Sequence, residues 1–288
     1  MAPPNELLPF PDGFGSGPEP FPFGYRFFSM EYFVKPGSVV RTIWGKADTV
    51  LFIFAGAAAE FALNKAVDWL YFTGRLPADP LARLFSTVEY SRKILYSTQA
   101  DAERAIDAIA AIHGAVEARR GRAIPDWAYR DVLFLLIDYS IRAFEVLERP
   151  LTLAEKEEIF DVFARLGRRM GVRDVPATYA AWQPVRQQHL AADLEYSRFT
   201  ADLYQQYRKH LGPFRYWLLR HGQRLVVPAP VRELLHLGTT SWVRPLVPVY
   251  RRTQRLALGR WMKASILPPE YKAKILALDV VPRAAQPN

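Results

Sequence analysis

Residues 97–116 read STQADAERAIDAIAAIHGAV. Acidic residues follow Ser97 and Thr98, either of which can cap a helix N-terminus, and isoleucines at 106 and 109 lead to His113 and Val116 at three- and four-residue spacing. This spacing predicts an amphipathic helix whose apolar face carries His113. A buried imidazole needs a partner for its ring nitrogens, which a core hydrogen bond or a metal ion can supply. The helix pattern alone favours the hydrogen bond and leaves the metal open.

Helical periodicity continues through most of the chain from Val39 onward. Asp79-Pro80 begins one helix, a capping box of Thr152 and Glu155 begins another, and Gly171 ends it. Alternating strand pairs and Asn-Gly hairpins do not stand out. The sequence therefore predicts an all-α fold with a single multi-helix domain. Besides the His113 helix, the predicted helices span residues 49–71, 81–96, 126–147, 152–170, 180–195, 199–211, 213–219, 230–237, 243–258 and 268–276.

Residues 1–24 contain seven prolines and four glycines, too many for a helix or a central strand. Aromatic residues from Phe21 to Phe33 give this segment apolar surface to bury against the body. We therefore predict an extended N-terminal arm over residues 1–38 and one helical domain over residues 39–288.

The chain has no cysteine, which excludes disulfides, thiolate metal sites, iron–sulfur clusters and covalent c-type haem. Its five histidines form no His-Glu-x-x-His pair, and Glu233-Leu-Leu-His236 is the only Glu-x-x-His. We do not expect a metal cage built wholly from side chains, so metal chemistry would need a cofactor.

Basic residues are concentrated in the last part of the chain. Residues 205–288 hold 15 Lys and Arg against 3 acids, and residues 241–244 and 250–255 alternate aromatic and basic side chains. Such a segment can contact an anionic membrane or an acidic partner, or can simply be a solvated basic surface. Nucleic-acid binding is a further class, but no nucleic-acid motif accompanies the charge, and we expect no such partner.

The beginning of the sequence shows no export signal, which predicts a cytoplasmic location. The longest apolar run, residues 49–59, is about half the length that a bilayer span requires. Membrane contact is therefore expected to be peripheral.

The predicted helix 81–96 and the His113 helix are joined by almost no loop, so we expect antiparallel neighbours. Counting from Ser97, Arg83 lies 14 residues back and His113 lies 16 residues forward. At 1.5 Å per residue both are about 21 to 24 Å from the turn. Thr87 follows Arg83 by one turn on the same face, so both polar groups can look across toward His113.

A series of short stretches is similar to the MpaB and latex-clearing-protein (rubber oxygenase) family of haem-b enzymes. The similarity runs from about Val39 to Met170, with matching order and spacing, and more loosely beyond. The matching stretches are VRTIWG at 40–45, FAG at 54–56, DPLARLFST at 79–87, IHGAV at 112–116, the helix 131–145, and LTLAEKE at 151–157 before Gly171-Val172.

The resemblance implies a helical domain that encloses non-covalent haem b, with His113 as the proximal iron ligand and Arg83 and Thr87 on the distal side. Haem propionates favour cationic partners, and aromatic rings can pack on the porphyrin, although each such residue also fits an ordinary surface or core role. The candidates are Arg119, Arg120, Arg142 and Lys65 for the propionates, and Trp44 and Phe85 for the ring.

The sequence departs from the rubber oxygenases at three places. Ser86 stands where they carry a lysine that can close the iron site, and Leu63-Asn64 stands where many relatives read His-Pro. Asp68 is the acid nearest to the position of their glutamate base. Ser86 and Asp68 are therefore further candidate catalytic residues, and polyisoprene cleavage stays open.

The sequence thus predicts a haem-b oxygenase that uses dioxygen on an apolar, unsaturated or isoprenoid-like substrate. Within the enzyme class, the alternatives are peroxide-dependent oxidation, dehydration and rearrangement. Outside it, the alternative is a non-catalytic haem- or lipid-binding protein at a membrane surface.

Overall fold

A computed structural model describes residues 31–72 and 80–253, and of residues 70 and 80–85 it describes the backbone alone. This part of the chain is helical, with two isolated β-bridges and no longer strand among the described residues. The all-α prediction is therefore confirmed. The helices are α1 Val39–Trp44, α2 Ala47–Phe61, α3 Asp68–Phe72, α4 Pro80–Tyr96, α5 Gln99–Arg120, α6 Asp126–Leu147, α7 Leu153–Arg169, α8 Tyr179–Ala192, α9 Arg198–Val226, α10 Ala229–Leu234 and, after a 3-10 turn at Arg244–Leu246, α11 Val247–Thr253.

Helices α2 and α6 form the centre of the main core, where most of their apolar side chains are buried. Gly56 of α2 lets the two helices approach closely, because a Cβ there would lie 2.2 Å from the ring of Tyr139. Helix α1 is fixed to the same core by Trp44, whose Nε1 donates a hydrogen bond to Ser140 Oγ at 3.1 Å. Most apolar residues of the helix predicted at 126–147 therefore face the main core, whereas Val132 is 42% exposed.

The α4–α5 hairpin has the form that the sequence predicts. Helix α4 ends at Tyr96, and Thr98 caps α5 by accepting a hydrogen bond from the amide of Asp101. The capping box of Thr152 and Glu155 at the start of α7 is also confirmed, with both reciprocal bonds present.

The single helix predicted for residues 49–71 is wrong, because the chain turns between α2 and α3. Asn64 makes this turn: its Oδ1 accepts a hydrogen bond from the amide of Ala66 at 2.8 Å, and its backbone bridges to Leu194. An asparagine that bonds the backbone two residues ahead competes with helix formation. The apolar pattern continues across the turn because Leu63 and Val67 are both buried in the main core.

The helices predicted at 199–211 and 213–219 are two parts of α9, which is kinked at Gly212-Pro213. Gly212 has a φ of 73°, in the left-handed region that favours glycine. Of the predicted arm, residues 31–38 are described, and Phe33 and Val34 are buried in the main core. The predicted helix 268–276 lies outside the described residues. No helix in the described ranges is long and apolar enough to cross a membrane.

Candidate functional site

His113 lies in the half of α5 that leaves the main core. The buried residues of α5 are Ala102, Ala105 and Ile106, all in its first half. His113 and Val116 are half-buried, and Ile112 is 50% exposed. The imidazole is thus not enclosed by the main core as the helix pattern predicted, although its Nδ1 is shielded from solvent.

Tyr129 of α6 packs beside His113, with the two ring centroids 5.3 Å apart. The Tyr129 hydroxyl donates a hydrogen bond to Glu117 Oε1 at 3.1 Å, and the same oxygen accepts the amide of Ile124 at 2.8 Å. Burial, with the charge of Glu117, raises the pKa of Tyr129 above its usual value, so the phenol stays protonated. A neutral, hydrogen-bonded ring therefore supports one side of the imidazole.

A second apolar cluster, separate from the main core, contacts α5 at Val116, about one turn beyond His113. It is formed by buried Ala66, Trp69 and Ala128, and Val116 packs against it. The guanidinium of Arg120 lies 3.9 Å from the centroid of the Trp69 ring. We call His113, Glu117, Arg120, Tyr129 and Trp69 the His113 cluster.

The predicted catalytic residues lie on α3 and α4. Ser86 and Thr87 are half-buried on α4, the antiparallel neighbour of α5. The side chains of Arg83 and Phe85 lie outside the described residues, so their predicted roles stay predictions. Asp68 accepts a hydrogen bond at 2.6 Å from Nη2 of Arg120, so this acid is bound to the cluster by an ion pair.

The structure places two of the other predicted cofactor contacts, Trp44 and Arg142, away from His113. Trp44 is fully buried against Phe54 and Phe163, and its partner Ser140 lies 11 residues, about 16 Å along α6, from Tyr129. Arg142 lies further along α6 and donates to Asp138 Oδ1 at 2.7 Å. Arg119 is exposed near the end of α5, and Lys65 Nζ donates to the carbonyl of Ala192 at 2.7 Å.

A second set of polar residues, which the sequence analysis did not predict, lies between α2, α6 and α8. Arg186 pairs with Glu60 through two hydrogen bonds, of 2.5 and 2.7 Å, and with Asp138 Oδ2 at 2.8 Å. His189 Nε2 lies 2.9 Å from Glu60 Oε1, and its Nδ1 lies 2.7 Å from Asp131 Oδ1. We call Glu60, Asp131, Asp138, Arg186 and His189 the buried ionic network, because all five residues are buried.

The charges of the network stabilise one another. Burial by itself would raise the pKa of Glu60, but the charge and hydrogen bonds of Arg186, with those of His189, lower it to about 2. Burial would lower the pKa of His189, but its hydrogen bonds to Asp131 and Glu60 raise it to about 9. At neutral pH the network therefore holds an ionised Glu60 and a protonated His189.

Asp131, His189 and Asp193 form a candidate metal centre, since their ligand atoms lie within 4.8 Å of one another. Counting histidine motifs did not reveal this set, because its members come from two helices and the residue that ends one of them. A protonated His189 accounts for these distances, because both of its ring nitrogens face carboxylate oxygens. Nδ1 also lies 3.3 Å from Asp193 Oδ2.

A sequence signal for the network does exist. Glu60 directly follows the apolar run 50–59 of α2, and Asp131 and Asp138 recur seven residues apart among the buried residues of α6. Acids on apolar helix faces require buried partners. Which basic residues supply them is decided by the packing of α8 against the other helices.

Residues 43–270 match the model of a protein family described as "ER-bound oxygenase mpaB/B'/Rubber oxygenase, catalytic domain". This range covers most of the chain and includes both the His113 cluster and the buried ionic network. Comparison with curated proteins and with solved structures found no match.

Proposed function

The chain belongs to the family of mpaB and rubber oxygenase catalytic domains, and on that premise we propose that it is a haem-b-dependent oxygenase that uses dioxygen to oxidise an apolar, unsaturated or isoprenoid-like substrate. Family membership makes it an oxygenase-type enzyme. The cofactor, the substrate class and the residue roles are the proposal. The observation that carries it is the position of His113, half-buried on a helix that leaves the main core beside a second apolar cluster.

The residues around His113 fit a planar apolar cofactor. An imidazole on a helix is a common haem anchor, and Nδ1 of this one is shielded from solvent. Apolar surface is exposed close by, with Ile112 at 50% and Phe72 at 43%. Two arginines, Arg119 and Arg120, end the same helix and can face propionates. The donor set is thus one nitrogen ligand with apolar and cationic surroundings, which suits haem better than a bare metal ion.

Bound haem would supply an iron at which dioxygen is activated. His113 would hold it, and the hydrogen-bonded ring of Tyr129 would fix the orientation of the imidazole. Thr87, together with Arg83 as the resemblance implies, would offer hydrogen bonds on the opposite side from α4. The substrate would lie against the apolar residues of this region and would displace water from them on binding.

For two of the candidate catalytic residues, Ser86 and Asp68, we expect more limited roles than in the rubber oxygenases. Ser86 has no nitrogen to bind iron, so the lysine closure of the rubber oxygenases has no counterpart at this position. Asp68 is paired with Arg120, whose guanidinium packs on Trp69, so it would orient the arginine rather than act as a free base. The propionate role then falls to Arg120 with Asp68 as its support.

The test is reconstitution with haemin, followed by the visible spectrum and the haem stoichiometry. We expect one haem per chain in the wild type and loss of the Soret band in His113→Ala, whereas His210→Ala, which removes a histidine from a different helix, should keep it. A protein that takes up no haemin contradicts the cofactor, and an unchanged Soret band in His113→Ala contradicts the ligand.

The reaction is tested with an isoprenoid alkene and isotopically labelled dioxygen, with product masses as the readout. Incorporation of the label supports the oxygenase. If the haem-loaded enzyme converts the alkene only when hydrogen peroxide replaces dioxygen, the peroxide-dependent alternative is correct. If neither oxidant gives a product, a non-oxidative or binding role is favoured.

A further inference from the structure

Three aromatic side chains far along the chain are exposed together. Phe214 is 66%, Trp217 44% and Trp242 73% exposed. The rings of Phe214 and Trp217 are stacked with centroids 6.3 Å apart, and Trp217 packs on His221 at 4.3 Å. The amide of Trp242 donates a hydrogen bond to Nδ1 of the same histidine at 3.3 Å. We call Phe214, Trp217 and Trp242 the aromatic patch.

The fold holds these rings outward on a fixed support. Gly212 and Pro213 kink α9, so Phe214 and Trp217 start its second half one turn apart on one face. On the other side, the Ser241 hydroxyl is buried and donates to the carbonyl of His221 at 3.1 Å. The outward position of these rings is therefore fixed by the backbone that carries them. Large apolar side chains presented together in this way mark a contact site.

The segment that carries the aromatic patch is rich in positive charge. Residues 203–253 contain nine Lys and Arg and a single acid, Glu233. Some of the arginines are structural: Arg220, for example, donates to the carbonyl of Leu235. The basic residues of this segment that are exposed to solvent are Arg208, Lys209, Arg244, Arg251 and Arg252.

We propose that the aromatic patch and its basic surroundings dock this protein on an anionic lipid bilayer. Tryptophan and phenylalanine prefer the boundary between headgroups and acyl chains, and lysine and arginine are attracted to anionic headgroups. Single-stranded nucleic acid also binds aromatic and basic surfaces. The neighbouring Leu246 and Val249, 55% and 54% exposed, favour lipid, because aliphatic side chains offer no stacking surface to a base. The docking is peripheral, and it does not depend on the haem proposal.

Docking of this kind would place the enzyme where an apolar substrate is concentrated. Isoprenoid chains partition into bilayers because their transfer from water to hydrocarbon is favourable. This consequence alone rests on the proposed function, since the binding of vesicles is measured without substrate or haem.

The test is sedimentation of the full-length protein with vesicles of phosphatidylcholine, alone or mixed in equal parts with phosphatidylglycerol. We expect binding to the mixed vesicles, weakened by salt. Trp242→Ala should reduce the partition coefficient at least about tenfold, since a tryptophan buries a large apolar area. Arg244→Ala should reduce it about fivefold at low salt. Leu153→Ala is the matched control: Leu153 is 64% exposed but lies at the start of α7, and its removal should leave binding unchanged.

Three outcomes overturn the proposal. They are equal binding to the neutral and the anionic vesicles, equal loss of binding in Trp242→Ala and Leu153→Ala, and tighter binding to a single-stranded oligonucleotide that displaces the vesicles. The thermal unfolding of each variant is measured alongside. If Trp242→Ala is not folded, Trp242→Phe and Phe214→Ser provide the same comparison, and loss of binding in a folded Phe214→Ser supports the proposal. A blue shift of tryptophan fluorescence with anionic vesicles, smaller in Trp242→Phe because Trp217 remains, supports insertion of the Trp242 ring.

Discussion

The buried ionic network and the His113 cluster use similar residue types in opposite ways. In the network, Arg186 and His189 are 2% and 4% exposed, and each meets two carboxylates from other helices. In the His113 cluster the imidazole is half-buried, and exposed apolar side chains lie around it. Polar groups that the protein encloses and pairs serve to hold helices together, whereas a partly covered histidine beside exposed apolar surface is suited to a ligand.

Removing the central cation of the network should give the largest effect on stability. Arg186→Leu leaves Glu60 and Asp138 buried without their main partner, and we expect a loss of about 3 to 5 kcal/mol in the free energy of unfolding. The measurement is chemical denaturation. Arg149→Leu is the control, because it breaks an exposed pair with Glu155 and should cost no more than about 1 kcal/mol. Equal losses in the two variants would contradict the distinction.

Because of the buried ionic network, the free energy of unfolding should also fall as the pH becomes alkaline. The folded-state pKa of His189 is raised from 6.5 to about 9, so its contribution is fully present below pH 6.5 and is lost as pH rises through 9. The expected loss is about 3 kcal/mol by linkage. Unfolding curves between pH 6.5 and 9.5 measure it, and His189→Gln should show a flatter profile. A wild-type stability that does not change over this range would contradict a protonated His189.

Gly56 lies in a tightly packed part of the main core, whereas Gly114 has open space beside it. Gly56→Ala places a methyl group against Tyr139 in the main core, and we expect a loss of about 1 to 3 kcal/mol. A Cβ added at Gly114, next to His113, would meet nothing within 4 Å, so Gly114→Ala should stabilise α5 by about 0.5 to 1 kcal/mol. Thermal denaturation without haem measures both. Destabilisation by Gly114→Ala would show that this part of α5 is packed after all.

The smallest effect on the haem-free protein is expected from His113 itself. Because its ring is half-buried, His113→Ala should change the free energy of unfolding by less than about 1 kcal/mol. The same variant should lose the stabilisation that haemin gives to the wild type. A large loss without haemin would assign His113 a structural role, as the hydrogen-bonded core alternative requires.

Local sequence signals predicted much of the helical framework. The bounds of α6 and the capping box of α7 were predicted correctly, and Thr98 is one of the two N-cap candidates for α5, because each feature depends on residues within one or two turns. The helix predicted across residues 62–67 was wrong, since Asn64 bonds the backbone of Ala66 and bridges to Leu194, a contact across 130 residues.

For the candidate site, the sequence singled out His113. The resemblance of its short motifs to the MpaB and rubber oxygenase family is confirmed by the family match. The sequence also grouped Trp44 and Arg142 with the same cofactor, whereas the structure binds Trp44 of α1 to Ser140 and places both Ser140 and Arg142 well along α6 from Tyr129. The local sequence around an aromatic or cationic side chain does not specify which distant helix that side chain will contact. That information appears only when the helices are packed.

The sequence by itself determined the all-helical framework and the family, because periodicity, capping and short motifs are written in neighbouring residues. Tertiary structure decided which charges are buried together and which histidine stays partly open. Glu60 and Arg186 are 126 residues apart, and their pairing exists only because α8 packs against α2. Burial, pKa and solvent access depend on every helix around a side chain, so His189 is enclosed between carboxylates whereas His113 stays half-buried.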